Sequence, residues 1–194
     1  MFALFLSLLA ATPSAEPRVI EDPRGFQFSL PAGFEPFPGF KPTATKLYAF
    51  AKNGGTPDAV ILAIDVLDGP TTAGAPSRSC GALMNSMGRT VGKPITERWA
   101  GLDLSGLRLV LTQMFGEVVV HCVDIPLEPN ALSLMVSGKP ANEAFIQETF
   151  RSVLSSVTSP SPVQHSPIPI LVGLVGSALV IALGLGVRAR RKRP

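Results

Sequence analysis

The chain has 194 residues, 46% hydrophobic and 16% charged, with 17 Lys and Arg against 14 Asp and Glu for a formal net charge of +3. Five of the basic residues fall in the last seven positions, so the remainder holds 12 basic against 14 acidic residues and gives no basis for nucleic-acid binding. Two cysteines and two distant histidines, His121 and His165, offer no metal-ligand spacing, and no cofactor motif is present.

In chain order, residues 1–15 (MFALFLSLLAATPSA) place about ten apolar residues before the small Ser14 and Ala15, the pattern of a cleaved secretory signal. The apolar stretch is too short to span a bilayer, and it holds no cysteine for lipid attachment. Residues 19–158 are expected to form one domain. FQFSL alternates into the LPAGF turn as a first strand, and KLYAFAK is a second, closed by NGGTPD. AVILAIDVL is nearly continuous in apolar residues, as in a strand covered on both faces. After the GPTTAGAP loop, Ser77 is placed to cap a helix whose Cys80, Leu83, Met84, Met87 and Val91 share one face. Gly92 and Pro94 are its expected stop. GLDLSG, LRLVLTQMF, a tight turn near Gly116-Glu117, VVVHCVDI and ALSLMVS then follow as an antiparallel meander. PANEAFIQETFRSVLSSV puts Ile146, Phe150, Val153 and Val157 on one helical face and Glu143, Gln147, Glu148 and Arg151 toward the other. The fold class is α+β: a twisted antiparallel sheet of about six strands packed by two helices.

Residues 159–167 are Ser/Pro-rich and read as an extended stalk. Ile168–Val187 is an uncharged run of 20 residues, the length of a transmembrane helix. Arg188, Arg190, Arg191, Lys192 and Arg193 follow it at once, which assigns residues 188–194 to the cytoplasmic side. Ala178, Ala182 and Gly186, and likewise Gly173 and Ser177, recur at four-residue spacing, so this face of the span permits a homodimer. No ionisable residue within the run marks an ion path.

The stretch GFQFSLPAGFEPF, of the form Gly-Phe-x-Phe-x-Leu-Pro-x-Gly-aromatic, resembles the opening strand of PsbP-like domains, and the order of elements after it is similar over about 135 residues. Phe34 stands where many relatives have Trp. The resemblance implies a sheet sandwiched by helices and an accessory, assembly or binding role; it brings no catalytic residues to this chain.

VHCVD brings His121, Cys122 and Asp124 close in sequence, but alternation along a strand sends His121 and Cys122 to opposite faces, which rules out an adjacent dyad. Cys80 and Cys122 are an even pair in an oxidising compartment; a helix packed on a sheet would bring them within bonding distance, and the alternative is two separate buried thiols. FEPFPGFKP interleaves Phe34, Phe37 and Phe40 with prolines. It reads either as a rigid aromatic loop that docks a partner or as a connection whose rings cover one end of the core. Trp99 and Tyr48 are expected in the core or on the sheet.

Three function classes follow. The first is a single-pass, non-enzymatic binding or accessory module, its domain outside the cytoplasm of a bacterial inner membrane, with the lipid bilayer and an envelope or membrane protein as partners. The second is a surface protein whose apolar run and tail are a processed sorting signal. It lacks both a Leu-Pro-x-Thr-Gly and a Pro-Glu-Pro box. The third is a hydrolase using a serine, His121 and Asp124 or Glu128, for which the sequence holds no nucleophile elbow.

Overall fold

A computed structural model describes residues 16–86, 90–113 and 116–159. The expected signal segment, the stalk beyond Ser159, the span 168–187 with its basic tail, and Met87 of the first helix all lie outside the described residues. Among the described residues no helix is long and apolar enough to cross a membrane.

The strands β1 (Arg18–Glu21) and β2 (Gln27–Leu30) pair as a two-stranded ribbon. A seven-stranded sheet is built from β3 (Glu35–Pro36), β4 (Lys46–Lys52), β5 (Val60–Leu67), β6 (Thr90–Trp99), β7 (Leu102–Gln113), β8 (Gly116–Pro126) and β9 (Ala131–Gly138). Its order is β3-β4-β5-β9-β8-β7-β6, and every neighbouring pair is antiparallel. The meander β6 to β9 runs in chain order and closes by seating β9 beside β5. Helix α1 (Arg78–Ser86) packs on β7 and β8; helix α2 (Glu143–Ser156) follows β9 after a 3-10 turn at Pro140–Asn142. The fold is therefore α+β, a mostly antiparallel sheet with two helices.

The larger core lies under α2. Ile146, Phe150, Val153 and Leu154 of that helix meet Leu62 and Ile64 of β5, Leu134 and Val136 of β9, and Val119, Val123 and Ile125 of β8, all buried. The ribbon adds Phe28 and Leu30, and its flanks add Phe26 and Phe34, so the three phenylalanines and the leucine of GFQFSLPAGF are all core residues. On the opposite face a smaller cluster joins Cys80 of α1 to Leu109, Leu111, Val120 and Cys122. Cys80 and Cys122 are disulfide-bonded, their Cα atoms 5.9 Å apart.

Several expectations are corrected. The helix ends at Ser86, and Val91, Gly92 and Pro94 belong to β6, where Val91 is 72% exposed. Gly92 is there for close packing: a Cβ would lie 2.9 Å from Met84 Sδ of α1. The described residues of GLDLSG and LRLVLTQMF, from Leu102 to Gln113, form the one strand β7 rather than two. At Gly106, in its middle, an added Cβ would come within 2.5 Å of the Cys122 carbonyl oxygen, so only glycine fits. Gly116 and Glu117 pair with Gln113 and Thr112 as part of β8, so they belong to a strand rather than to a turn. β5 is buried on alternate residues only. FQFSL lies in the ribbon rather than the main sheet, which β3 and β6 together bring to seven strands.

The disulfide closes a loop of 42 residues containing β6 and β7. Replacing both cysteines by alanine is expected to lower the unfolding free energy by about 2–5 kcal/mol. The measurement is a fall in the urea midpoint with a steeper slope, as the unlinked unfolded chain expands; an unchanged midpoint and slope would mean the bond does not constrain the unfolded chain.

Candidate functional site

The VHCVD stretch lies in the middle of β8, and its alternation separates its polar groups. His121 and Val123 face α2, whereas Cys122 and Asp124 face α1. The His121 side chain is 4% exposed, with its ring 5.8 Å from that of Phe150. Among the described residues neither ring nitrogen has a hydrogen-bond partner. Its Nε2 lies 3.9 Å from Glu143 Oε1, too far for a hydrogen bond. Glu143 is held instead by the Arg108 guanidinium, whose Nε and Nη2 both donate to it, the latter at 2.7 Å. Lys93, Arg108 and His121 are register neighbours across β6, β7 and β8, so the first turn of α2 sets its carboxylate over a row of basic groups. Burial holds the imidazole below its ordinary 6.5, opposed by the Glu143 charge and reinforced by Arg108. The hydrogen bond from Arg108 is the main reason the Glu143 carboxyl sits below 4.5. His121 is thus a neutral ring sealed under a helix, and the nearest thiol is in a disulfide on the other face.

Asp124 is committed to α1. It accepts the backbone N–H of Arg78 at 2.6 Å, that of Ser79 at 3.4 Å, and the Ser79 hydroxyl. Ser77, the expected cap, accepts the Cys80 N–H at 3.2 Å. The first three amides of α1, which have no intrahelical partner, are all satisfied. Asp65, Ser133 and Asp124 stand side by side across β5, β9 and β8, a polar row on the α1 face that sequence reasoning missed. Its only sequence signal is a lone Asp in AIDVL and a lone Ser in ALSLMV. Burial raises the Asp65 carboxyl above its ordinary range, with Lys46 opposing. No group of three or more His, Cys, Asp or Glu among the described residues is arranged to hold a metal.

The aromatic loop divides. Phe34 is 1% exposed and stacks on Phe145 of α2 with centroids 6.4 Å apart, so it is a core residue and not part of a docking surface. Phe37 is 37% exposed and Phe40 half-buried. The Phe40 N–H donates to Phe37 O at 3.1 Å across Pro38 and Gly39, and Gly39 has φ 78°; this is a type II turn, with proline and glycine at the positions that need them. Beyond it Val66 N–H donates to Thr45 O at 2.6 Å, fastening the loop to the end of β5. Tyr48 donates to Asp22 at 2.9 Å, and burial with that bond pushes its hydroxyl up to about 12. Trp99 is buried and donates its indole N–H to Val157 O at 2.9 Å. At the far end of the sheet an open groove of about 720 Å³ is lined by Ile61, Val118, Ser137 and Lys139 among others, mostly apolar.

No family model and no curated protein matches this chain. A crystal structure from Bacteroides thetaiotaomicron is similar with a TM-score of 0.51 at 9% identity, covering 77% of this chain and 50% of that one, so this chain spans about half its length. PA94 of Pseudomonas aeruginosa has a TM-score of 0.44 at 11% identity, over 71% of this chain and 96% of that one. CyanoP, the cyanobacterial PsbP of Synechocystis sp. PCC 6803, has a TM-score of 0.48 at 14% identity, over 79% and 98%. At such identities the likeness concerns the fold alone.

His121 binds a proton more weakly in the folded chain than in the unfolded one, so its contribution is present above pH 6.5 and lost as the pH falls through its lower folded value. Glu143 adds a second loss, confined to below pH 4.5. His121→Leu, which gives up no hydrogen bond, is expected to keep stability at neutral pH within about 1 kcal/mol and to flatten the first window only. Urea titrations across pH measure this; a variant that retains the slope below 6.5 would assign it to another group.

Proposed function

We propose that the chain is a single-pass, membrane-anchored binding or accessory module of PsbP-like type, with residues 19–158 outside the cytoplasm, residues 188–194 inside it, and no catalytic set. The observation that carries this reading is the uncharged run Ile168–Val187 followed at once by five basic residues. The PsbP-like part rests on GFQFSLPAGFEPF and the order of elements. A non-enzymatic role is supported by how the tempting groups are used: His121 is sealed beneath α2, Cys122 is bonded to Cys80, and Asp124 caps α1.

Alkaline extraction of native membranes, combined with protease added from the periplasmic side, tests the topology. The full chain with a C-terminal tag is expected to stay in the pellet with its tag protected and its domain exposed. Extraction into the supernatant, or a digested tag, would refute the reading. The intact mass of the mature protein separates it from the sorting-signal alternative, in which residues near the C-terminus are lost.

A further inference from the structure

The chain leaves the described domain at one end of the sheet. Thr158 pairs with Gln27, and Ser159 lines a cavity of about 220 Å³ together with Arg24, Phe26, Val66 and Leu127. Val66 is also the residue whose amide holds Thr45, so the loop 36–46 sits at that same end. The loop, PFPGFKPTATK, contains two phenylalanines and two lysines, and no acidic residue. All of it is exposed except Phe40, which is half-buried. Glu35 precedes the loop and lies 3.5 Å from Arg18, and Asp65 stands opposite Lys46 in register; Lys41 is exposed. The other exposed large hydrophobics among the described residues, Val19 on β1 and Val91 on β6, stand singly. Three prolines and the Phe37–Phe40 turn fix the backbone, so presenting the rings costs little ordering on contact.

We infer that loop 36–46 seats on the anionic headgroup layer of the bilayer that tethers the chain, with Phe37 and Phe40 entering the interface and Lys41 and Lys46 facing lipid phosphate. The inference rests on the single-span reading. Nine residues, 159–167, separate the domain from Ile168; fully extended they reach about 28 Å at roughly 3.1 Å per residue. That short tether holds the domain within reach of the surface at high effective concentration, so a weak contact is enough. Aromatic rings with flanking basic residues are the composition that partitions to a membrane–water interface. A protein hot spot buries its anchor in a fitted pocket ringed by paired polar groups. Here the rings are flanked by exposed lysines and threonines, which match a diffuse negative surface better.

The disulfide leaves no reactive thiol among the native cysteines, so an added cysteine can be labelled alone. The full chain, carrying an environment-sensitive fluorophore at Ala44→Cys or, at the far end of the sheet, at Glu117→Cys, is reconstituted in nanodiscs with or without phosphatidylglycerol. The Ala44 probe is expected to shift to the blue and be quenched by spin-labelled lipid when phosphatidylglycerol is present, and to return to its aqueous spectrum in high salt. The Glu117 probe should remain aqueous throughout. Lys41→Gln with Lys46→Gln is expected to lower the equilibrium constant for seating about 30-fold, from about 1 kcal/mol for each lysine. An aqueous Ala44 probe in both lipids, on a chain that still resists alkaline extraction, overturns the inference and leaves the tether standing. A chain that the bilayer does not retain overturns both. A probe that leaves water only when cross-linked to a co-purifying protein makes the loop a protein-docking surface and likewise overturns the inference.

Discussion

Strand β8 is buried without a break from Val119 to Pro126, because a helix lies against each of its faces. Its side chains alternate, so a single strand must satisfy two different neighbours at once. Toward α2 it offers bulk: Val119, Val123 and Ile125 belong to a core that also takes in β5, β9 and the N-terminal ribbon. Toward α1 it offers attachment, a disulfide at Cys122 and a carboxylate cap at Asp124. The difference follows from size. A nine-residue helix over two strands buries too little apolar surface to hold itself in place, and specific bonds supply what area does not.

The two buried polar residues on this strand, three positions apart, show opposite solutions to burial. Asp124 meets three donors from the start of a helix, where a negative charge is favoured by the exposed amides. His121 meets none within reach and stays neutral beside Phe150, at a desolvation cost of about 1–3 kcal/mol. The Arg108–Glu143 pair next to it is self-contained, so the Arg108 charge is balanced without drawing on the imidazole.

The architecture was legible in the sequence wherever one periodicity acted alone. The closing helix was readable because Ile146, Phe150 and Val153 repeat on one face, and the divergence of His121 from Cys122 followed from strand alternation. Reading failed where two constraints overlapped. β6 is an edge strand with exposed Lys93 and a Pro94, devices that keep an edge from pairing further, and they hide the strand's period. Val91 fell by chance on the helical spacing of Cys80, which extended the helix one turn too far. Gly106 looked like a break in β7, whereas it marks the place where the Cys122 backbone comes too close for any side chain. The three phenylalanines of FEPFPGFKP looked equivalent; only contact with Phe145 of α2, more than 100 positions along the chain, assigns Phe34 to the core. The row Asp65, Ser133, Asp124 arises from strand register, which composition does not encode.

The way the domain ends has a mechanical consequence. A pull on the chain beyond Ser159 does not first unwind α2. It meets the paired backbone bonds between Gln27 and Thr158, the Trp99 indole on Val157 O, and the Ser29 amide on Ser156 Oγ. These bonds divide the load between the ribbon at β2 and the edge strand β6. The share carried by β6 enters a segment enclosed by the Cys80–Cys122 ring, whose contour cannot lengthen while the covalent bond is intact. Tension from the C-terminal side therefore runs into a closed loop rather than a free end.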